Sequence, residues 1–194
     1  MARKYDLGER AKGQAETRAR IVEAALALHA SVGPARTTIS AIAEESGVQR
    51  LTVYRHFPDD RSLAEACWAQ WTADHPLPDA ARWPAIEDPA ERLLVALTAI
   101  YGWFAATEAM TAQLERDLPD LPVMREVAAP LAAYWESVNA ILDRGWEARG
   151  ERRERLRAIL RHALAFTTWR SLARLRGLEN AGAAEMMVRL TRVV

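Results

Sequence analysis

The sequence predicts an all-α protein, with a three-helix helix-turn-helix domain at the N-terminus followed by a larger helical domain. Ala, Leu, Glu and Arg dominate the 194 residues, and all four favour helices. Strand signals are scarce, because apolar and polar residues do not alternate over any sustained stretch and no Asn-Gly or Asp-Gly pair marks a hairpin turn. Glycine and proline instead separate segments whose apolar residues have helical spacing.

The breakers divide the chain into a series of predicted helices. Gly33-Pro34 ends the first, and Asp88-Pro89 supplies a cap followed by proline at the first helical position. The helices are expected at about 16–31, 39–45, 49–57, 60–73, 89–106, 108–117, 127–147, 151–176 and 180–193. A proline-containing loop covers 75–88. We expect a helix-turn-helix domain over residues 1–62 and a helical effector-binding and dimerisation domain over residues 63–194.

Composition favours a cytoplasmic protein. Half of the residues are hydrophobic and the net charge is zero, so a sizeable core is possible and a uniformly basic protein is excluded. The chain lacks the run of about 18 apolar residues that crosses a membrane, and its N-terminus lacks the apolar stretch of a secretory signal. Cys67 is the only cysteine, so no intrachain disulfide can form, which fits a reducing compartment.

The stretch 37–57 has the pattern of two short helices joined by a tight turn. Thr37 or Thr38 can cap the first of them, and Pro58 stops the second. Gly47 lies where such a turn needs a left-handed backbone, which glycine adopts at the lowest cost. The residues predicted to pack inward are Ile39, Ile42, Ala43, Val48, Val53 and Phe57.

That packing leaves a polar face on the second of the two helices. Gln and Arg can bond base edges through two atoms, Thr and Leu can contact a thymine methyl, and Tyr and His can donate to phosphate. The predicted contacts of this face with double-stranded DNA are Gln49, Arg50, Leu51, Thr52, Tyr54, Arg55 and His56. The first 20 residues also hold six basic and three acidic side chains, which fits either a phosphate-seeking arm or an ordinary solvated tail.

This N-terminal segment resembles the tetracycline-repressor (TetR) family of regulators. The resemblance is carried by Ile21-Val22-Glu23-Ala24-Ala25-Leu26, Gly33, Thr38-Ile39, Ile42-Ala43, Gly47-Val48, Thr52-Val53-Tyr54-Arg55-His56-Phe57-Pro58 and Leu63. It covers about a quarter of the chain, and beyond it only length and helical pattern agree. The resemblance implies that residues 49–52 lie in the major groove and that Thr38, Tyr54 and His56 hold phosphates.

Three residues depart from the family pattern. Leu51 replaces a small residue, often glycine, so we expect an altered base preference. Asp60 stands where a lysine often contacts phosphate, which leaves that contact in doubt unless Arg61 supplies it. His29 stands where the first helix usually buries a phenylalanine, and we interpret it as a packed, hydrogen-bonded core residue.

The two C-terminal helices have broad apolar faces. In 151–176 the apolar residues recur every three or four positions, and 183–194 repeats the pattern. A small domain can hardly bury both sides of such helices, so we predict a homodimer whose contact is formed by about 156–175 and 183–194. In the family, the last two helices of each subunit pack into such an interface. Two recognition helices can then reach major-groove faces about 34–36 Å apart.

Aromatic residues are plentiful in the C-terminal part and lie on three predicted helices. They could line one apolar cavity for a flat effector, with Thr107, Asn139, His162 and Thr167 as polar groups. A cationic effector could lie on the tryptophan faces, with Glu108 or Glu136 as counter-charge. The alternative is that the rings only fill the core or the dimer seam. The predicted ligand-binding residues are Trp103, Phe104, Tyr134, Trp135, Phe166 and Trp169.

No catalytic motif stands out, so we expect neither an enzyme nor a cofactor, and no metal. The expected function is a ligand-responsive regulator, most often a repressor in the resembling family, that binds a palindromic operator as a homodimer and is released by a small apolar or aromatic effector. Two alternatives remain: a helical protein-binding module, and a ligand-binding protein with a vestigial helix-turn-helix.

Overall fold

The computed structural model describes residues 2–192, with side chains from residue 8 onwards, and within that range it contains helices and no strand. The prediction of an all-α protein is confirmed. The α-helices are α1 Ala2–Ser31, α2 Ile39–Glu45, α3 Arg50–His56, α4 Asp60–Asp74, α5 Pro89–Asp117, α6 Pro122–Val127, α7 Ala129–Leu142, α8 Glu151–Leu164, α9 Phe166–Trp169 and α10 Asn180–Leu190. A π-helical segment covers Arg170–Leu175, and short 3-10 turns cover Pro34–Arg36, Ala80–Ala85 and Leu118–Asp120.

The chain divides into two compact units. The first, here the N-terminal unit, comprises the chain up to His75 together with Ala109–Ala129. It contains α1 to α4, the end of α5, and α6. Its core consists of Ile21, Val22, Ala25, Ile42, Ala43, Val53, Phe57, Leu63 and Cys67, with Ile39 and Val48 partly buried against it. The predicted inward packing of the helix-turn-helix is therefore confirmed.

The first helix is longer than predicted. It begins at Ala2 and not near Glu16, because no proline interrupts 2–15 and good helix formers outweigh Gly8 and Gly13. The basic arm is therefore helical where the structure describes it. The side chains of Arg3 and Lys4 lie outside the described part of the chain.

A cluster at the end of α5 holds the turn after α1, and we name Gln113, Arg116 and Asp117 the α5 clip. Gln113 Nε2 donates to Ser31 O over 3.0 Å, and Arg116 donates to Val32 O over 2.9 Å. Asp117 accepts the backbone N–H of Ala35 at 3.0 Å. Gly33 has φ +96, and a Cβ there would collide with Arg116 and Asp117. Glycine is thus required at position 33 both for conformation and for space.

The second compact unit, here the C-terminal unit, comprises Pro76–Glu108 and the chain from Pro130 onwards. The start of α5 and α7 to α10 surround a core of fully buried side chains: Leu93, Leu97, Ile100, Tyr101, Val138, Leu142, Leu156 and Trp169. Arg92 is 5% exposed and donates to the carbonyls of Ile86, over 2.7 Å, and of Arg144. It ties the segment before α5 to the turn after α7.

Two predicted helix boundaries in the middle of the chain were wrong. The helices predicted at 89–106 and 108–117 are one helix, α5, because Thr107 donates its hydroxyl to Trp103 O within the helix and nothing interrupts the backbone. The short helix α6, Pro122–Val127, was not predicted. The helix predicted over 127–147 begins at Ala129, with Pro130 in its first turn as predicted. It ends at Leu142, well before Gly145, whose φ is +82.

The helix predicted over 151–176 is also broken. Ala165 is extended, with ψ 133, and separates α8 from α9. The hydroxyl of Tyr101 donates to Ala163 O over 2.8 Å, so a side chain takes a carbonyl that a continuous helix would bond to its own backbone. After α9 the chain widens into the π-helical segment.

One helix meets the length and composition of a membrane span. The stretch Pro89–Asp120 qualifies, and half of its most apolar window is buried inside the protein. Its apolar character is accounted for by core positions such as Leu93, Leu97 and Ile100, which are all fully buried. A core helix explains these properties without a membrane, and the expectation that no segment crosses one stays a prediction. The expected boundary between two domains at residues 62 and 63 also stays a prediction. In the structure, α4 and α6 pack in the same unit as the helix-turn-helix.

Candidate DNA-binding surface and aromatic cluster

The turn between α2 and α3 has the geometry of a helix-turn-helix. Thr38 caps α2 by accepting the N–H of Ala41 at 3.1 Å. Gly47 has φ +65, and the N–H of Val48 donates back to Ala43 O over 2.9 Å, which closes the turn. The left-handed glycine predicted at this position is therefore present.

The α3 helix exposes a mixed polar and apolar face. Gln49, Arg50 and Arg55 are exposed, and Thr52 and His56 are half-buried. Leu51 is 59% exposed and Tyr54 is 45% exposed. About half of each of these two side chains is open to solvent, so the face is available for contact with another molecule. Thr38 is exposed at the start of α2.

The opposite side of α3 is fixed by the core. Val53 is fully buried and Phe57 is 1% exposed. The guanidinium of Arg18 lies 4.2 Å from the centre of the Phe57 ring, a cation–π contact that links α1 to the end of α3. Arg18 therefore has a structural role in addition to its charge.

Neither position after α3 supplies an obvious phosphate contact. Asp60 opens α4, where a carboxylate is unfavourable for phosphate. Arg61 is bonded to Glu126 of α6 and lies 3.9 Å from Glu65, so it is already engaged in ion pairs. Asp59 caps α4 by accepting the N–H of Ser62, which lowers the pKa of its carboxyl.

His29 is buried, as predicted, with 7% exposure. Burial lowers its pKa to about 4, against an opposing attraction from Asp117, so the ring is neutral at pH 7. The predicted hydrogen bond is not formed: no residue with a described side chain, from 8 to 192, bonds a ring nitrogen of His29.

The predicted aromatic residues do converge in the C-terminal unit. The Phe104 ring lies 5.4 Å from Phe166, 5.9 Å from Trp169 and 5.8 Å from Trp135, between ring centres. Trp103 contacts Trp135 at 6.1 Å, and Tyr134 contacts Trp135 at 5.1 Å. We name these six residues the aromatic cluster. Tyr134 and Trp135 are half-buried and the other four are buried, so α7 forms the accessible side.

Sequence analysis missed the groups that hold this cluster in place. Arg174 lies 4.9 Å from the Trp169 ring centre and forms an ion pair with Glu108 at 2.7 Å. The Trp169 Nε1 donates to Asn180 over 2.9 Å. The face of Trp169 and the charge of Glu108, which were expected to serve a cationic ligand, are thus occupied by Arg174. A helix break at Ala165 brings these residues together, and no local sequence signal predicted it.

Two of the four polar groups expected near the cluster face solvent. His162 and Thr167 are exposed, whereas Thr107 is buried and Asn139 is half-buried. Thr107 and Asn139 each bond a carbonyl of their own helix, at Trp103 and Trp135 respectively. Within the described residues, no group of three or more His, Cys, Asp or Glu side chains could hold a metal ion.

The closed turn and the exposed α3 define a helix-turn-helix domain in the N-terminal unit. Comparison with known proteins shows what this domain resembles. Residues 21–67 match the family described as bacterial regulatory proteins, tetR family. An uncharacterized HTH-type transcriptional regulator of Mycobacterium tuberculosis is 39% identical over 61 residues, which cover 31% of this chain and 32% of that protein. The match therefore spans about a third of this curated relative.

Solved structures extend the likeness to the whole fold. A TetR-like transcriptional regulator from Rhodococcus sp. RHA1 superimposes with a TM-score of 0.62 at 16% identity, over 91% of this chain and 93% of that one. NalD of Pseudomonas aeruginosa, a secondary repressor of a multidrug efflux pump, gives 0.54 at 20% identity, over 93% and 96%. The helix-turn-helix segment is similar to the tetR family over residues 21–67, and the chain has the fold of these TetR-like structures, which confirms the resemblance seen in the sequence.

Proposed function

We propose that the protein is a transcriptional regulator that binds double-stranded DNA through α3. The observation that carries the proposal is the exposed face of α3, where Leu51 and Tyr54 lie on the surface between Arg50 and Arg55 while Val53 holds the opposite side in the core. Gln49 and Arg50 at the start of α3 are suited to base edges, and Tyr54 and His56 to phosphates. The tetR-family match over residues 21–67 supports the same function.

Selection of binding sites from random duplex DNA tests the proposal. We expect a two-fold symmetric site, with log K falling linearly with log salt by about 0.9 per phosphate contact. Arg50→Ala and Tyr54→Ala should each weaken binding about tenfold or more, because each removes a direct contact. Arg82→Ala is the matched control, since Arg82 is a 90% exposed arginine of the C-terminal unit. Failure to enrich any site at low salt would refute the function.

We further propose that the regulator acts as a homodimer. Most of the apolar residues that predicted the interface are buried within the chain itself, including Leu156, Leu160 and Trp169. Burial of these residues within one chain means that they need no partner subunit, so fewer residues support the dimer than the sequence suggested. What supports the dimer is the exposed remainder: Leu175, at 74%, and Met186 and Leu190 on α10, at 42% and 43%. Val193 and Val194 of the predicted interface lie outside the described residues.

We propose that the protein is a repressor and that a small aromatic effector binds at the aromatic cluster and releases it from DNA. The half-buried rings of Tyr134 and Trp135 offer a flat apolar surface beside the buried rings of Trp103 and Phe104. Tryptophan fluorescence titration with aromatic compounds tests this. Trp135→Ala should abolish the response, whereas Trp68→Ala, in the N-terminal unit, should preserve it. We expect no catalysis, and a site of action in the cytoplasm, where bacterial DNA lies.

A further inference from the structure

The N-terminal unit contains a cavity of about 380 Å³ that is distinct from the aromatic cluster. Its walls come from α1, the turn after α1, α2, α4 and α6. Its volume is within the range of about 300–1,000 Å³ typical of small-molecule sites. Every wall belongs to the N-terminal unit, which also carries α3.

The cavity has one buried polar side chain without a partner, His29. The imidazole is 93% buried, being 7% exposed, and no side chain or backbone group of the described residues bonds its ring nitrogens. Burial lowers its pKa to about 4, so at pH 7 one nitrogen is a donor and the other an acceptor. Unlike Arg92 Nε, the ring nitrogens are not sealed from solvent, so they face the accessible space of the cavity, where a bound molecule can bond them.

The remaining wall is mainly apolar. Ile39, Ile42 and Leu63 line one part, and Val123 and Met124 of α6 line another. Such a surface favours an apolar ligand and gives nothing to a charged one. The only ionisable wall residue besides His29 is Asp60, which is exposed at the start of α4 and repels anions. A neutral imidazole in apolar surroundings is matched by a hydroxyl group, which can both donate to it and accept from it.

We propose that this cavity is a second small-molecule site, for an uncharged apolar molecule that bonds His29 through a hydroxyl group. The ligand contacts α1, α2 and α4 at once, and these are the helices whose packing sets the position of α3. Occupancy therefore changes DNA affinity. That effect rests on the proposed function, whereas ligand binding itself does not.

Two-dimensional NMR of the full chain without DNA tests the site. The probes are 4-ethylphenol, 4-ethylanisole, which lacks the hydroxyl proton, and 4-ethylbenzoate, which is anionic. We expect 4-ethylphenol to shift the Met124 methyl and His29 ring-nitrogen resonances saturably. The anisole should bind about tenfold more weakly, which corresponds to one hydrogen bond, and the benzoate should not bind.

Variants separate this site from the aromatic cluster. His29→Phe keeps an aromatic ring at this position and removes both nitrogens, so it should weaken 4-ethylphenol binding about tenfold. Val123→Trp should fill the cavity from α6 and abolish binding without touching His29. Trp135→Ala is the control and should change nothing. Equal affinity of the phenol and the anisole, unchanged binding in both cavity variants, or shifts confined to the C-terminal unit would each overturn the proposal.

Failure of the proposed function gives a different pattern. If the chain binds 4-ethylphenol at His29 but selects no DNA site, the proposed ligand site stands and the proposed regulator function fails. If the chain selects a DNA site but the His29 resonances do not respond to 4-ethylphenol, the proposed regulator function stands and the proposed second site fails.

Discussion

At the scale of single residues, His29 combines burial with a missing partner. Burial disfavours the protonated ring, and Asp117, whose charge opposes this effect, is already engaged by Arg116 and by the N–H of Ala35. A phenylalanine, which the family usually has here, would carry no such dependence. As the pH is lowered, we therefore expect protonation of His29 to be the first event that destabilises the fold.

The free energy of unfolding should fall as the pH is lowered from about 6.5 to about 4. In this window the unfolded chain binds a proton at residue 29 and the folded chain does not, so stability rises with pH. The full effect is about 3 kcal/mol. Urea unfolding followed by circular dichroism between pH 4 and 7 measures it.

His29→Phe is the control for that prediction. It should remove most of the pH dependence in this window. The lowered pKa values of Asp59 and Asp117 act only below their ordinary value of 3.8. An equally steep fall in the variant would assign the acid sensitivity to other groups.

Cys67 should be chemically inert in the folded protein. It is 2% exposed, and burial raises its pKa to about 12, so almost no thiolate forms near pH 8. We expect no reaction with a thiol reagent until denaturant is added, and then one thiol per chain. Rapid modification under native conditions would mean that the core between α1 and α4 opens readily.

At the scale of helices, Tyr101 bonds a backbone carbonyl beside the break between α8 and α9. Its hydroxyl donates to Ala163 O, and burial raises the pKa of the phenol. Tyr101→Phe should lower the free energy of unfolding by about 1–3 kcal/mol, because a buried carbonyl loses its partner. Chemical denaturation measures this loss. Tyr134→Phe is the comparison: its hydroxyl donates to Pro78 O from a half-buried position, and its loss should cost less.

The helices also show what the sequence could predict. Thr38, Gly47, Asp59 and Pro58 act within a few residues of themselves, so the boundaries of α2, α3 and α4 were predicted closely. The break at Ala165 was not predicted, because the group that bonds the carbonyl beside it, the Tyr101 hydroxyl, lies 62 residues away in α5. The continuity of α5 through Thr107 was missed because threonine only weakly disfavours helix and here bonds its own turn.

The same distinction applies to the sites. The face of α3 follows from helical periodicity, so its exposed residues were identified correctly, although their contacts with DNA stay a prediction. The convergence of the aromatic rings was also foreseen, while Arg174 over Trp169 was not. The unpartnered state of His29 could not be read from the chain, because it depends on which groups four other segments present to the cavity.

At the scale of the whole molecule, assembly is the property to test first. Met186→Glu with Leu190→Glu places two charges on the exposed side of α10 and should convert the dimer to a monomer, with a large loss of operator affinity. Sedimentation velocity at micromolar concentration measures it. Val95→Glu, at a 42% exposed valine of α5, is the control and should leave the dimer intact. A monomeric wild-type chain would remove the basis of the proposed symmetric operator.

The division of the N-terminal unit has a consequence for how the chain is made. Its first stretch ends at His75, and its second, Ala109–Ala129, includes the α5 clip and α6. A ribosome adding about 5–20 residues per second needs roughly 3–10 s to pass from the end of one stretch to the end of the other. Throughout that interval the nascent helix-turn-helix lacks the wall formed by Val123 and Met124. The N-terminal unit can therefore be completed only after the ribosome has made α6. An isolated fragment ending at His75 would lack the α5 clip and α6 permanently.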